Sequence, residues 1–229
     1  MKNTIFFKIY IIFSIVYLLI LSSGYESLDL FLKPALIPLL GFGVYFHQKF
    51  PSRKTLLIAL LFSWIGDVIL LFADIAEIYF ILGLVSFLIS HIGYCVLFNK
   101  QITGEIQINK ALFGIGSLII AFYLIGMVLV LMPNLGDLKI PVIIYAAVIS
   151  TMLLFAFNGY LIWKKPGGLY VFLGAVSFVV SDSILAINKF DTPIIKSSFF
   201  IMLTYLVAQY LIVVGILKLN SKKQNKTDL

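Results

Sequence analysis

Long apolar stretches alternate along the chain with short breaks that contain charged residues, Pro or Gly. A transmembrane helix requires about 20 consecutive apolar residues, whereas a strand of a membrane barrel alternates polar and apolar positions over about ten. The stretches here are continuous, so the pattern predicts an all-α, polytopic membrane helical bundle with eight transmembrane helices. The predicted segments are 4–22, 30–47, 55–73, 77–98, 110–132, 140–163, 168–187 and 197–218.

The composition supports a membrane protein. Of the 229 residues, 62% are hydrophobic and 12% are charged, and the mean hydropathy is +1.09, whereas soluble domains are about 25% charged. The breaks are too short to hold an inserted soluble domain. We therefore expect a single eight-helix transmembrane domain over 1–218 and a disordered, basic cytoplasmic tail over 219–229. We also expect the first segment to be retained rather than cleaved as a signal peptide.

The basic residues are unevenly distributed between the two sides of the predicted bundle. Thirteen of the 17 Lys and Arg residues fall on the side of the N-terminus, and the positive-inside rule then predicts that both termini are cytoplasmic. The net charge of +7 lies in loops and tails, which favours anionic lipid headgroups at this basic face, and no nucleic acid, as partners. Sixteen Lys against one Arg, with many Ile, Phe and Asn, indicates an AT-rich bacterium. The expected location is therefore the bacterial cytoplasmic (inner) membrane.

Two acidic residues interrupt the apolar segments. Asp67 lies in "LLFSWIGDVILLF" and Asp182, 115 residues later, in "VSFVVSDSILAI". Each acid lies on the third helix of a four-helix half, which is compatible with a parallel four-plus-four pseudo-repeat. Asp67 is about a dozen residues, and Asp182 about fourteen, from the cytoplasmic start of its helix, so at ~1.5 Å per residue both are expected at similar depth, where they could face each other.

Two neighbouring carboxyl groups in a medium of low dielectric cannot both ionise cheaply. One stays protonated and the other charged, which provides an acid and a base for proton transfer. The alternative is that each acid only forms a hydrogen bond with a neighbouring helix or pairs with a lysine. An ionisable residue at membrane depth costs about 3 kcal/mol, so in either case we expect both acids to face the bundle interior or a wet cavity.

Further polar residues lie within or at the ends of the apolar segments and are candidates for substrate binding. His91 and Tyr94 share one helix face with Phe87; the alternative for His91 is an ordinary hydrogen-bonded core residue. Lys33 is a candidate partner for a phosphate or a carboxylate near the outer opening, or alternatively an interfacial lysine. The candidate binding residues are Lys33, His91, Tyr94, Asn188, Lys189, Tyr205 and Gln209.

The residue inventory argues against a metal and against serine nucleophiles. The chain has one cysteine, Cys95, and two histidines, of which His47 lies at a loop edge, so a His₃ zinc site of the membrane-amidase kind is disfavoured. Ser63 and Ser181 lie near the two acids but lack the "G-x-S-x-G" context of a hydrolase nucleophile. We expect no metal and no cofactor.

The ordered motifs resemble the YhhN-like lysoplasmalogenase family of eight-helix membrane proteins. The resemblance covers 33 to about 212 and rests on "KP", "LLFSWIGDVILLF", "FILGLVSFLISHIGYCVLF", "VSDSILAINKF" and "TYLVAQYLI". It implies that Asp67 and Asp182 match the two intramembrane aspartates of the family. It also implies that four residues match its other recurrent polar positions, namely Lys33, His91, Tyr205 and Gln209.

The resemblance implies hydrolysis of the vinyl ether bond of lysoplasmalogens to a fatty aldehyde and a glycerophospho-base. Protonation of the vinyl β-carbon and attack of water require one carboxylic acid and one carboxylate, without a metal, as the Asp pair supplies. The lysophospholipid-type substrate is expected to enter from the bilayer, with water as co-substrate. The alternatives are a transporter or proton-coupled lipid-binding protein that uses the Asp pair, and an intramembrane aspartyl protease, whose "YD…GxGD" pattern the chain lacks.

Overall fold

The computed structural model describes residues 5–102 and 109–224, which are helical apart from turns and short connections. Three short 3₁₀ turns precede α2 and α6, at Glu26–Leu28, Met132–Asn134 and Gly136–Leu138. The α-helices are α1 (Ile5–Ser22), α2 (Asp29–Tyr45), α3 (Arg53–Leu70), α4 (Glu77–Gln101), α5 (Lys110–Leu131), α6 (Lys139–Ile162), α7 (Gly167–Phe190) and α8 (Ser197–Gln224).

The prediction of an all-helical membrane bundle is confirmed for the described residues, which contain eight α-helices and no strand. Six of these helices are long and apolar enough to cross a membrane. The exceptions are α2, which has 17 residues, and α3, whose 18 residues include Arg53, Lys54 and Asp67. Eight membrane crossings and cytoplasmic termini therefore remain predictions. Helix α8 continues to Gln224, beyond the predicted boundary at 218, and the predicted tail residues 225–229 lie outside the described residues.

The chain divides into two compact units, Met1–Leu97 and Phe98–Leu229, and the division falls within the last turns of α4. Helices α1 to α4 form the first unit and α5 to α8 the second. Asp67 lies on the third helix of the first unit and Asp182 on the third helix of the second. This is the order expected for a four-plus-four pseudo-repeat, which itself stays a prediction.

In the first unit, α2 contains two prolines and contacts a helix on each side. Gly43 packs against Phe7 of α1, since a Cβ built on it would lie 2.8 Å from the ring. Pro38 lacks an N–H, so the carbonyl of Pro34, four residues earlier, loses its intrahelical donor. The indole Nε1 of Trp64 on α3 donates to that carbonyl at 2.8 Å. This hydrogen bond fixes the register between α2 and α3.

Helices α3 and α4 are joined by serine hydroxyls. Ser86 Oγ donates to the carbonyl of Phe62 at 2.7 Å, and Ser90 Oγ donates to that of Ala59 at 2.8 Å. Ser63 Oγ lies 2.7 Å from Ser90 Oγ. Because the single hydroxyl proton of Ser90 is directed to Ala59, Ser63 is the donor in that pair. These bonds satisfy polar groups inside an apolar unit, as a membrane environment requires.

In the second unit, α7 and α8 approach each other closely at glycines. A Cβ on Gly174 would lie 2.9 Å from both the carbonyl oxygen of Ala208 and the nitrogen of Ile212. A Cβ on Gly215 would lie 2.9 Å from the carbonyl oxygen of Gly167. Small residues of this kind allow helix backbones to touch in membrane bundles.

Candidate functional site

Asp67 lies in the interior of the first unit. It is 3% exposed and follows Gly66, where a Cβ would lie 2.7 Å from the ring of Phe87 on α4. Ser63, one turn earlier on α3, is fully buried and bonded to Ser90. The apolar α3 sequence therefore buries this acid in the row that packs against α4.

The predicted face of α4 is buried along its length. Phe87 is 6% exposed, and His91 and Tyr94 are fully buried. A Cβ on Gly83 would lie 3.6 Å from the carbonyl oxygen of Gly66, so Gly83 is near the level of Asp67. His91 is eight residues further along α4, which places its Cα about 12 Å from that level. The helix register therefore separates His91 and Tyr94 from Asp67 along the axis.

Lys33 lies near the level of Asp67. It immediately precedes Pro34, whose carbonyl accepts the hydrogen bond from Trp64, and Asp67 is three residues after Trp64. Along the helix axes, the Cα atoms of Lys33 and Asp67 are therefore offset by no more than about one helical turn, ~5 Å. Lys33 is half-buried, in the second turn of α2. A cation at this level is suited to an anionic group next to the acid.

Asp182 is half-buried on α7 and has a tyrosine partner on α6. The hydroxyl of Tyr145 donates to Asp182 Oδ2. The next residue on α7, Ser183, donates to the carbonyl of Val179 at 2.6 Å and is hydrogen-bonded to the hydroxyl of Tyr123 on α5. Helices α5 and α6 therefore each direct one tyrosine hydroxyl to consecutive polar residues of α7.

Neither of these tyrosines was among the candidates predicted from the sequence. Tyr145 lies in "IIYAAVIS", 37 residues before Asp182, and no spacing rule connects positions on different helices. The available signal was the presence of single tyrosines inside otherwise apolar segments, because a buried phenolic hydroxyl usually requires a hydrogen-bond partner.

The two candidates at the end of α7 differ in their surroundings. The side-chain oxygen of Asn188 accepts a hydrogen bond from the backbone N–H of Ile194 at 2.8 Å, which holds the turn between α7 and α8. Lys189 is exposed in the last turn of α7. The structure thus gives Asn188 a role in closing the turn, which the sequence did not predict.

Tyr205 and Gln209 are buried on α8. Tyr205 is 3% exposed and packs edge-on against Phe178 with ring centroids 5.4 Å apart, and Gln209 is fully buried. Ser181 Oγ donates to the carbonyl of Ile201 at 3.0 Å, which sets the register of α7 and α8. In that register Gln209 lies nine residues beyond the level of Asp182, about 13 Å along the axis.

The two serines near the acids each form a hydrogen bond with a neighbouring helix. Ser63 donates to Ser90, and Ser181 donates to the carbonyl of Ile201. Both hydroxyls join neighbouring helices. Within residues 5–102 and 109–224, the structure contains no group of three His, Cys, Asp or Glu side chains that could hold a metal ion.

Comparison with known proteins gives one family match. The profile of the YhhN family matches residues 28–216, which include every candidate residue named above. Lysoplasmalogenase TMEM86A from Bos taurus is 30% identical in an alignment of 187 residues that covers 76% of this chain and 70% of that protein. Lysoplasmalogenase TMEM86A from Homo sapiens is 29% identical over the same shares of the two chains. No solved structure matches the chain.

Proposed function

Because the chain belongs to the YhhN family, we propose that it is a membrane hydrolase that cleaves the vinyl ether bond of lysoplasmalogens. The products are a fatty aldehyde and a glycerophospho-base. Two relatives at 29% and 30% identity carry the name lysoplasmalogenase, and the six apolar helices suit a lipid substrate that enters from the bilayer. The observation that carries the catalytic part of the proposal is the burial of Asp67, 3% exposed, inside an apolar helix.

The proposed reaction begins with two proton transfers. A carboxylic acid protonates the β-carbon of the vinyl ether. The α-carbon, which is bonded to the ether oxygen, then becomes part of an oxocarbenium ion. Water adds to that carbon while a carboxylate accepts its proton, which gives a hemiacetal. The hemiacetal hydroxyl then loses its proton as the C–O bond to the glycerol oxygen breaks. The glycerol oxygen takes up a proton, and the aldehyde is released. Proton transfer of this kind contributes about 10²–10⁴-fold to a rate.

We assign the acid to Asp67 and the carboxylate to Asp182. Burial in an apolar helix favours the neutral form of a carboxyl group, as the acid requires. Asp182 is less buried and accepts a hydrogen bond from Tyr145, and such bonds are strongest to a charged acceptor. Lys33 is proposed to bind the phosphate. The other proposed binding residues are His91, Tyr94, Asn188, Lys189, Tyr205 and Gln209.

The test is release of free aldehyde from lysoplasmalogen by the purified protein, measured with and without a chelator. Asp67→Asn and Asp182→Asn are each expected to lower kcat at least 100-fold, because proton transfer is lost. Asp191→Asn is the matched control, since Asp191 lies in the exposed turn after α7. Absence of aldehyde with the wild type, or full activity in both Asp variants, would overturn the proposal.

Tyr145→Phe separates the two acids. It removes the hydroxyl that donates to Asp182 and leaves Asp67 unchanged. We expect about a tenfold lower kcat, equal to ~1.4 kcal/mol. Uptake of intact lysolipid into proteoliposomes without aldehyde release would instead support the transporter alternative.

We further propose that all eight helices of the single domain cross a bacterial cytoplasmic membrane with both termini inside, and that the basic face contacts anionic lipid headgroups. The charge bias toward one side supports this orientation. Membrane-impermeant labelling of single cysteines introduced at Ser23 and Lys164, in a background with Cys95 replaced, tests it. Labelling of position 164 from outside the cell would contradict it.

A further inference from the structure

An open groove runs between α2 and α3 in the first unit. Its volume is about 420 Å³, and its walls extend from Ile37 to Tyr45 on α2 and from Leu57 to Trp64 on α3. Eight residues of helix correspond to a length of about 12 Å. The side chains along it are almost wholly apolar. We name it the α2–α3 groove.

The groove exists because a glycine forms part of its floor. Nothing lies within 4 Å of a Cβ built on Gly41, so this position leaves space instead of close packing. Three large side chains line the groove and are about half exposed, namely Phe42 (50%), Tyr45 (55%) and Leu61 (47%). The Trp64 indole N–H at one end is already bonded to the carbonyl of Pro34. The groove therefore presents an apolar surface to a ligand, and the Trp64 indole does not provide it with a hydrogen-bond donor.

The lining favours a hydrocarbon chain over an extended protein segment. The walls along the ~12 Å groove are almost wholly apolar, so they offer no partners for the backbone N–H and C=O groups of a protein segment. An alkyl chain has no such groups to satisfy. The surrounding helices are apolar and belong to a membrane protein, so hydrocarbon chains are the most abundant neighbours available.

The groove ends next to the polar residues of the same unit. Asp67 is one turn beyond Trp64 on α3, and Lys33 is one turn before Ile37 on α2. In a vinyl ether lysolipid the reactive bond joins the chain to the glycerol, and the phosphate follows. A chain in the groove with its head toward Lys33 would therefore place that bond near the level of Asp67.

We propose that the α2–α3 groove binds the hydrocarbon chain of the lipid substrate and sets the depth at which its vinyl ether lies. The identity of that lipid rests on the proposed function, whereas chain binding itself does not require catalysis. The groove contributes to KM more than to kcat, because it contacts the chain away from the reacting atoms.

Gly41→Leu is the variant that fills the groove, because a Cβ at this position meets nothing within 4 Å. Gly41→Ala adds a single methyl group and provides a graded step. Gly126→Leu on α5 is the matched control, since a Cβ there also meets nothing within 4 Å and the residue lies outside the groove. Thermal unfolding in detergent verifies that each variant is folded.

Binding is measured by quenching of Trp64 fluorescence with a lysophospholipid brominated along its acyl chain. The protein has two tryptophans, Trp64 and Trp163, so Trp64→Phe identifies the groove signal. We expect saturable quenching in the wild type and in Gly126→Leu, and at least fivefold weaker binding in Gly41→Leu. Equal quenching by a brominated diacyl phospholipid at the same mole fraction would mean bulk lipid contact and would overturn the proposal.

Kinetics provide the second measurement. Gly41→Leu is expected to raise KM for a long-chain lysoplasmalogen about tenfold, with kcat within twofold, and Gly41→Ala to have an intermediate effect.

Unchanged KM and unchanged quenching in Gly41→Leu would overturn the groove assignment, while aldehyde release by the wild type would still uphold the proposed function. Normal groove quenching without any aldehyde release would support the groove and reject hydrolysis. If Gly41→Leu converts a dimer to a monomer in size-exclusion chromatography, the occupant is a second copy of the chain and the proposal is wrong.

Discussion

Asp67 and Asp182 each lie in a pair of packed helices, and each follows a residue that contacts the partner helix. The contacts that join the two helices differ between the pairs. In α3–α4 and in α7–α8, the acid directly follows a small residue that meets the partner helix, Gly66 before Asp67 and Ser181 before Asp182. The α3–α4 pair is joined by hydrogen bonds from Ser86 and Ser90 to carbonyls. The α7–α8 pair is joined mainly by contact of glycines with the backbone of the partner.

The two helix pairs share the axial offset between the acid and a buried polar residue of the partner helix. They differ in how well the contact between the helices can accommodate added volume. His91 lies about 12 Å from the level of Asp67, and Gln209 about 13 Å from that of Asp182, both toward the end of the fourth helix of the unit. Glycines of α7–α8 meet backbone atoms, which cannot move without separating the helices, whereas Gly66 and Gly83 meet the side chains of Phe87 and Leu70. We infer that α3–α4 tolerates added volume better than α7–α8 does.

The largest expected effect follows from adding a methyl group between α7 and α8. In Gly174→Ala the Cβ would lie 2.9 Å from two backbone atoms and 2.8 Å from Ile212 Cγ1. The helices must separate, and we expect the free energy of unfolding to fall by about 2 kcal/mol, although Ala is a better helix former than Gly. Unfolding in mixed detergent micelles with increasing SDS measures this free energy.

Gly126→Ala is the control for Gly174→Ala in the same unit, because a Cβ at Gly126 meets nothing within 4 Å. It is expected to be neutral or stabilising by up to ~1 kcal/mol. Equal stability of the two variants would show that α7 and α8 are not limited by backbone contact.

The next largest effect is expected in α3–α4. Gly66→Ala brings its Cβ 2.7 Å from the ring of Phe87, which is buried and must rotate. We expect a loss of about 1.5 kcal/mol, and Phe87→Leu in the same chain should recover most of it. Gly83→Ala meets only the flexible end of Leu70 and should lose less. A larger loss at Gly66 than at Gly174 would reverse the proposed difference between the pairs.

Much of this arrangement could be predicted from the sequence because continuous apolar segments determine where the helices lie to within a few residues. The segments predicted at 30–47 and 110–132 correspond to α2 and α5. The burial of Asp67 was likewise expected, since ionisable groups at membrane depth face the protein interior or a wet cavity, whereas Asp182, for which the same was expected, is half-buried. Helix α8 extends to Gln224 because Lys, Gln and Ser there are compatible with a helix even where hydrophobicity ends.

The partners of the polar residues could not be predicted, because apolar periodicity does not fix helix rotation. Nearly every position of α6 is apolar, so nothing in its pattern directs Tyr145 toward Asp182, which is 37 residues away. The same holds for Trp64 and the Pro34 carbonyl, 30 residues apart. Asn188 is used by the local α7–α8 turn, a role that its apolar surroundings on the helix did not indicate.

The hydrogen bonds of α3–α4 can be tested separately from its packing. Ser90→Ala removes the donor to Ala59 and leaves the hydroxyl proton of Ser63 without its acceptor on Ser90. We expect about 1 kcal/mol lower stability. Ser177→Ala is the control, because its hydroxyl bonds only the carbonyl of Leu173 in its own helix. A loss for Ser90→Ala no greater than that for Ser177→Ala would mean that packing alone holds α3 to α4.

The smallest effect concerns the other side of α3. Trp64→Phe removes the indole donor to the Pro34 carbonyl, which Pro38 leaves without an intrahelical N–H. We expect about 0.6 kcal/mol lower stability, the average for such bonds between membrane helices. Replacing Pro38 by Ala in the same chain supplies the missing N–H within α2, so the indole should then contribute little. If Trp64→Phe costs as much with Ala at position 38 as with Pro, the loss comes from the volume of the indole and not from its hydrogen bond, and α3 is held on this side by packing alone.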